Sequence, residues 1–167
     1  MSAGIEAVRE RMADYLNARG VAATAAWPGE GRTGRAGCVV AVSLRGCQAG
    51  PAGFQDYLGE RYDEGTGLWQ ELYGRRAKLT FGLDLYAPAQ GDGAALQAAF
   101  DALAAALAQG GPEGLAVEEV SCGETVYDQR ARLLKRPAQA VCAAYLCAAA
   151  GPDGIFTEFE VRGGMKQ

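Results

Sequence analysis

Between Ala77 and Pro88 the chain reads AKLTFGLDLYAP, with large apolar residues at every second position: Leu79, Phe81, Leu83 and Leu85. Successive side chains of a strand point to opposite faces, so this spacing puts all four on one side. Lys78, Thr80, Asp84 and Tyr86 take the other. A helix would scatter the same four residues around its axis, since a period of two makes no helical face. The stretch therefore predicts a strand, over residues 68–86, with one face in a core. Such a strand needs partners at its edges and a cover over its apolar face.

The cover comes from two amphipathic stretches. Ile5, Val8, Met12, Tyr15 and Leu16 keep helical spacing and predict a helix over 4–19, with Ser2 as cap and Gly20 as stop. Leu96, Ala99, Phe100, Leu103 and Leu107 predict a second over 92–108, started by Asp92 and ended by GGPEG. Further strands are predicted over 21–27, 38–46, 54–62, 115–122, 138–148 and 155–161. CVVAVSLRG reads as buried on both faces, GCQAGPAG as a loop, and DEGTG as the turn of a hairpin. Most links are too short for parallel crossovers. The expectation is an α+β fold, a mainly antiparallel sheet with two helices packed on one face. With 167 residues and no linker or change of composition, residues 1–167 read as a single domain.

Histidine is absent. That removes Ser–His–Asp triads, Cys–His dyads and histidine metal sites from within one chain. The five cysteines form no Cys-x-x-Cys pair and read as free, mostly apolar thiols. Cys142 and Cys147, five apart in a strand, fall on opposite faces. No catalytic, cofactor or metal residue is expected, and the chain does not read as an enzyme. No apolar run is long enough for a membrane span, and Glu6 and Glu10 stand where an export signal needs apolar residues, so a cytoplasmic location is expected.

GEGRTG, Gly29 to Gly34, has the Gly-x-Gly-x-x-Gly spacing of a dinucleotide-binding turn. That turn works because a helix opens directly after it and offers its N-terminal amides to the pyrophosphate. Here a strand, CVVAVSL, follows. In a chain with 24 glycines the match reads as chance, and the segment as a hairpin loop between the first two strands. Arg32 and Arg35 are left as contacts for an acidic partner.

Charge is distributed in clusters. Asp56, Glu60, Asp63 and Glu64 surround the DEGTG hairpin, with Trp69, Tyr62 and Tyr73 beside them as cross-strand packing or, if exposed, interface anchors. Arg130, Arg132, Lys135 and Arg136 form one basic cluster, and Arg75, Arg76 and Lys78 another. These read as solvated strand ends or as complementary contact surfaces. The net charge of −4 argues against gripping nucleic acid over the whole surface.

Three phrases in order carry a resemblance. GFQDYLGERYDEGTGLWQELYGRRAKLTFGLDLYAP (Gly53 to Pro88), EVSCGETVYD (Glu119 to Asp128) and FTEFEVRG (Phe156 to Gly163) resemble bacteriophage and prophage tail terminator, or tail-completion, proteins. The resemblance covers most of the chain from Gly37 onward. It implies a small α+β subunit that rings, commonly as a hexamer, on the end of a tail tube. There it stops polymerisation and offers a joint to the head connector. The implied partners are other copies of itself, tail-tube protein and head-connector protein, in the host cytoplasm during assembly and then in the virion. It implies neither a membrane partner nor sequence-specific nucleic-acid binding, and brings no catalytic residue. A neighbouring head–tail joining protein is the alternative, and a nucleotide-binding or DNA-contacting adaptor a further one.

Overall fold

A computed structural model describes residues 5–25, 37–51, 57–91, 93–150 and 156–162. The chain is α+β, with nine strands in one sheet and two helices. In chain order the elements are α1 (Ile5–Ala18), β1 (Ala23–Thr24), β2 (Val39–Pro51), β3 (Tyr57–Asp63), β4 (Leu68–Pro88), α2 (Ala94–Ala108), β5 (Ala116–Cys122), β6 (Val126–Asp128), β7 (Leu133–Arg136), β8 (Ala138–Ala150) and β9 (Phe156–Arg162).

The spine is β4, 21 residues long. On one edge it pairs antiparallel with β3 near its start and with β2 from Arg75 to Tyr86. On the other it pairs antiparallel with β8 and then, from Leu85 to Pro88, with β7. β5 and β9 extend the sheet from β8, and β6 extends it from β7. Straight, such a strand measures roughly 70 Å, against roughly 40 Å for the diameter of a compact domain of this mass. Its first third therefore reaches past the core. From Leu68 to Arg76 only Leu72 is buried, whereas the rest of the strand is largely buried.

The alternation that predicts β4 also locates the core. Leu79, Phe81, Leu83 and Leu85 have no exposed surface. Register brings Val42 opposite Leu83, Val40 opposite Leu85, Ala140 opposite Phe81 and Cys142 opposite Leu79 on the same face. Val8, Met12 and Leu16 of α1 and Leu96, Leu103 and Leu107 of α2 close over it, so both helices lie on one face. The helices are tied together by the Tyr15 hydroxyl, which donates to the Ala106 carbonyl at 2.8 Å. α1 ends where the Gly20 and Val21 amides donate back to the Asn17 and Leu16 carbonyls, with Gly20 at φ +79°. That is a Schellman stop, and it needs the left-handed conformation glycine adopts freely.

Several expectations are corrected. β1 is only two residues long, and it pairs with β2 in parallel, Ala23 with Val40. The link between them is therefore a crossover and not a hairpin loop, because a hairpin joins antiparallel strands. The Asn17 side chain fixes this arrangement by bonding both the amide and the carbonyl of Ala23. β2 does not stop at Gly46 but continues through the supposed loop to Pro51, with a bulge between Leu44 and Gly46. It is buried on both faces only at its start: Val40 and Val42 face the helices, Val39 joins a small cluster with Tyr86, Ala131 and Leu133, and Ser43 and Arg45 to Ala49 are exposed. β6 and β7 are strands where none was expected. α2 opens at Gly93, which offers no side-chain cap. Asp92, Ser2, Trp27 and the GEGRTG segment lie outside the described residues.

Candidate functional site

The part of β4 beyond the core forms a hairpin with β3. Its turn is organised by Asp63, whose carboxylate accepts from the Gly65 amide at 2.9 Å, the Thr66 hydroxyl at 3.0 Å and the Gln70 amide at 3.1 Å. The Gly65 and Thr66 bonds hold the Asp63 pKa below its ordinary value. Gly67, at φ +70°, closes the turn by donating to the Asp63 carbonyl at 2.8 Å. A residue committed this fully to its own turn is a structural acid.

Register then sorts the hairpin's side chains. One face carries three cross-strand pairs in sequence: Tyr57 with Tyr73, Glu60 with Glu71, and Tyr62 with Trp69. Both aromatic pairs are edge-to-face, with centroids 5.6 and 5.5 Å apart. They do not bury each other: Trp69 is 68 % exposed, Tyr62 50 % and Tyr57 44 %. Between them lie two carboxylates directly opposite each other, an arrangement that destabilises an isolated hairpin. Among the described residues neither has a cationic partner; Glu71 accepts the Tyr73 hydroxyl at 2.6 Å. The Tyr57 pKa is raised by desolvation and then by the fields of Glu60 and Glu71, and the Tyr73 pKa chiefly by its bond to Glu71.

At the other end of β4 stands the β6–β7 hairpin. Asp128 Oδ1 accepts from the Arg130 and Ala131 amides at 2.9 and 3.1 Å, and Arg132 adopts φ +54°. A non-glycine residue in that conformation needs support, and the buried Ala131 and Leu133 on either side of it supply anchors. Arg130 and Arg132 are left exposed. Val126 and Tyr127, on the edge strand β6, are 51 % and 53 % exposed.

The basic cluster does not act as one patch. Lys135 and Arg136 are neighbours in β7 and point to opposite faces. Arg136 lies over the Phe100 ring at 5.4 Å and donates to Gln97 and the Gly123 carbonyl. Lys135 sits on the helix-free face, 3.4 Å from Asp84 and 5.8 Å from the Tyr86 ring centroid. Burial by itself would lower its pKa; the Asp84 carboxylate and Tyr86 outweigh that, and the pKa is raised. Arg45, from the β2 bulge, completes the network by reaching Asp84 at 2.7 Å across Gly82. The second basic cluster borders an open groove of about 510 Å3, where Arg76 pairs with Glu118 at 3.2 Å and Lys78 is exposed.

Of the residues singled out from sequence, Glu60, Asp63, Glu64 and Trp69 come together on the first hairpin and Arg130 and Arg132 on the second. Lys135 and Arg136 are engaged within the fold. Arg32, Arg35 and Asp56 lie outside the described residues. Sequence reasoning missed Glu71, Leu68, Val126 and Tyr127. Glu71 was recoverable by counting back from the DEGTG turn to its partner Glu60; Val126 and Tyr127 carried no signal, because β6 is three residues long. Among the described residues no polar or charged residue is buried, and no three potential metal ligands cluster. No described helix is long and apolar enough to cross a membrane. No protein-family model matches the chain, and no curated protein matches it.

Proposed function

We propose that the chain is a structural subunit that assembles with copies of itself into a ring. In the reading its sequence resemblance supports, that ring caps a phage tail tube, ends its polymerisation and forms the joint to the head connector. One observation carries the assembly. Among the residues whose side chains are described, the six exposed large apolar ones lie on two hairpins at opposite ends of β4: Tyr57, Tyr62, Leu68 and Trp69 on one, Val126 and Tyr127 on the other. Exposed aromatics clustered this way mark contact surfaces. Two different surfaces per subunit are what a closed ring of three or more copies requires, since its contacts are heterologous.

Competing readings have less support. Gly37 and Cys38 are not helical and β2 begins at Val39, so no helix N-terminus opens in the described residues after GEGRTG. The Arg130–Arg136 segment divides its cations between two faces, which does not suit a nucleic-acid backbone groove. The experiment is light scattering of the purified chain with and without tail-tube protein, followed by electron microscopy of the tubes. Rings, or tubes of arrested length with a terminal cap, are the expected result. A chain that stays monomeric and leaves tube growth unaltered refutes the reading.

A further inference from the structure

We propose that the face of the β3–β4 hairpin in one copy receives the β6–β7 turn of the next copy, with Glu60 and Glu71 accepting Arg130 and Arg132. This rests on the assembly reading above and names the two surfaces that meet.

Three features of the molecule converge on it. The first is the like-charge cost of setting Glu60 and Glu71 opposite each other in the register of β3 and β4, offset among the described residues only by the Tyr73 hydroxyl on Glu71. A cation arriving from outside turns that cost into binding energy. The second is what flanks the carboxylates. Tyr57 and Tyr73 stand on one side, Tyr62 and Trp69 on the other, so a side chain entering between them meets acid in the middle and aromatic rings at the margins. Arginine suits that site better than lysine, because its planar guanidinium forks onto carboxylates and stacks on rings. The third is the composition of the opposite end. Residues 57–73 hold four carboxylates against one arginine, and residues 124–136 hold four cations against two carboxylates. Arg130 and Arg132 are the exposed members of that set, two positions apart on a turn whose backbone Asp128 fixes. Val126 and Tyr127 beside them expose apolar area on the two faces of β6, so that whichever face docks brings one of them to Trp69 and Tyr62.

One molecule cannot make this contact with itself, because the two surfaces stand at opposite ends of the same strand. Between copies it is head-to-tail, and each subunit uses both ends once.

The test is a charge swap, with self-association measured by analytical ultracentrifugation and folding by thermal melts. E60K/E71K keeps a like-charge pair across the hairpin and gives up only the exposed Tyr73–Glu71 bond, so its melt is expected close to wild type, and R130E/R132E alters only exposed side chains. Each double variant is expected to lose self-association by about 100-fold or more, as like charges meet across the interface. The quadruple variant E60K/E71K/R130E/R132E is expected to regain it. If wild type associates and either double variant associates equally well, this inference is overturned while the assembly reading stands. The same holds if the folded quadruple variant stays apart, or if E60K/E71K loses only its hold on tube protein. If wild type never associates, with or without tube protein, the assembly reading falls and takes this inference with it.

Discussion

Gly82 lies about two thirds of the way along β4, buried beneath the Arg45 side chain on its way to Asp84. A Cβ built there would overlap Ser43 Oγ and stand 2.5 Å from Arg45 Nε and 2.9 Å from Arg45 Cζ. Alanine in a strand ordinarily gains roughly 0.5–1 kcal/mol over glycine. Here the gain is offset. Arg45 has to lift away, which weakens an ion pair whose side chains are 39 % and 14 % exposed, worth about 1 kcal/mol after allowing for solvent. Displacing Ser43 and Arg45 from their rotamers costs on the order of 0.5–1.5 kcal/mol more. Gly82→Ala should therefore destabilise by about 1 kcal/mol, a fall of roughly 2–4 °C in Tm for a chain of this size. A Ser43→Ala/Arg45→Ala background removes the three atoms nearest the new methyl group, and there the same change should stabilise by roughly 0.5–1 kcal/mol. Urea and thermal unfolding of the four proteins give the sign in each background. If Gly82→Ala stabilises wild type, or shifts both backgrounds equally, the close approach of Arg45 is not what holds glycine at this position.

Phe81→Ala empties the middle of the core and should cost about 3–5 kcal/mol, read as loss of the cooperative urea transition or a large fall in its midpoint. Burial and then the field of Glu118 push the Cys142 thiol up to about 12, whereas Cys47 is exposed. A thiol reagent should label Cys47 in the native protein and Cys142 only after unfolding. Because the folded pKa of Cys142 lies above its unfolded value, its contribution is complete below pH 9.0 and is lost as pH rises from there toward 12, so a Cys142→Ala variant should show a shallower alkaline decline in urea stability. Asp63 has the opposite sign: its folded pKa is lowered, so its support for the turn is present above pH 3.8 and lost as pH falls further. The Gly65 amide should exchange faster under acid in wild type, and the Asp63→Asn variant should not share that pH dependence.

The sequence made the core legible because the core depends on periodicity. The alternation through Leu79 to Leu85 and the helical stripes of α1 and α2 each report one face, and the faces meet as those patterns require. Extents were harder to read. Gly46 and Gly50 punctuate the sequence like a loop, yet β2 runs through them because β4 offers an unpaired edge as far as Arg75. β7 exists for the same reason: after Gly82, where β8 ends its pairing, the last residues of β4 need another partner, and Leu133–Arg136 supplies it. The parallel pairing of β1 is set by the Asn17 side chain, a contact that no local pattern announces. At the candidate site, residue types were visible as charge and aromatic clusters. Which of them stayed exposed depended on register, and that separated Arg130 and Arg132 from Lys135 and Arg136.

β4 also acts as a ruler. Both exposed hairpins are pinned to one unbroken strand, so the distance between them is a residue count multiplied by roughly 3.3 Å. A single-residue insertion would reverse the faces of everything beyond it, sending Leu79 to Leu85 out of the core. Lengths change only in matched two-residue steps, with each neighbouring strand lengthened to suit, so the separation of the two ends should vary among natural variants in increments of about 7 Å.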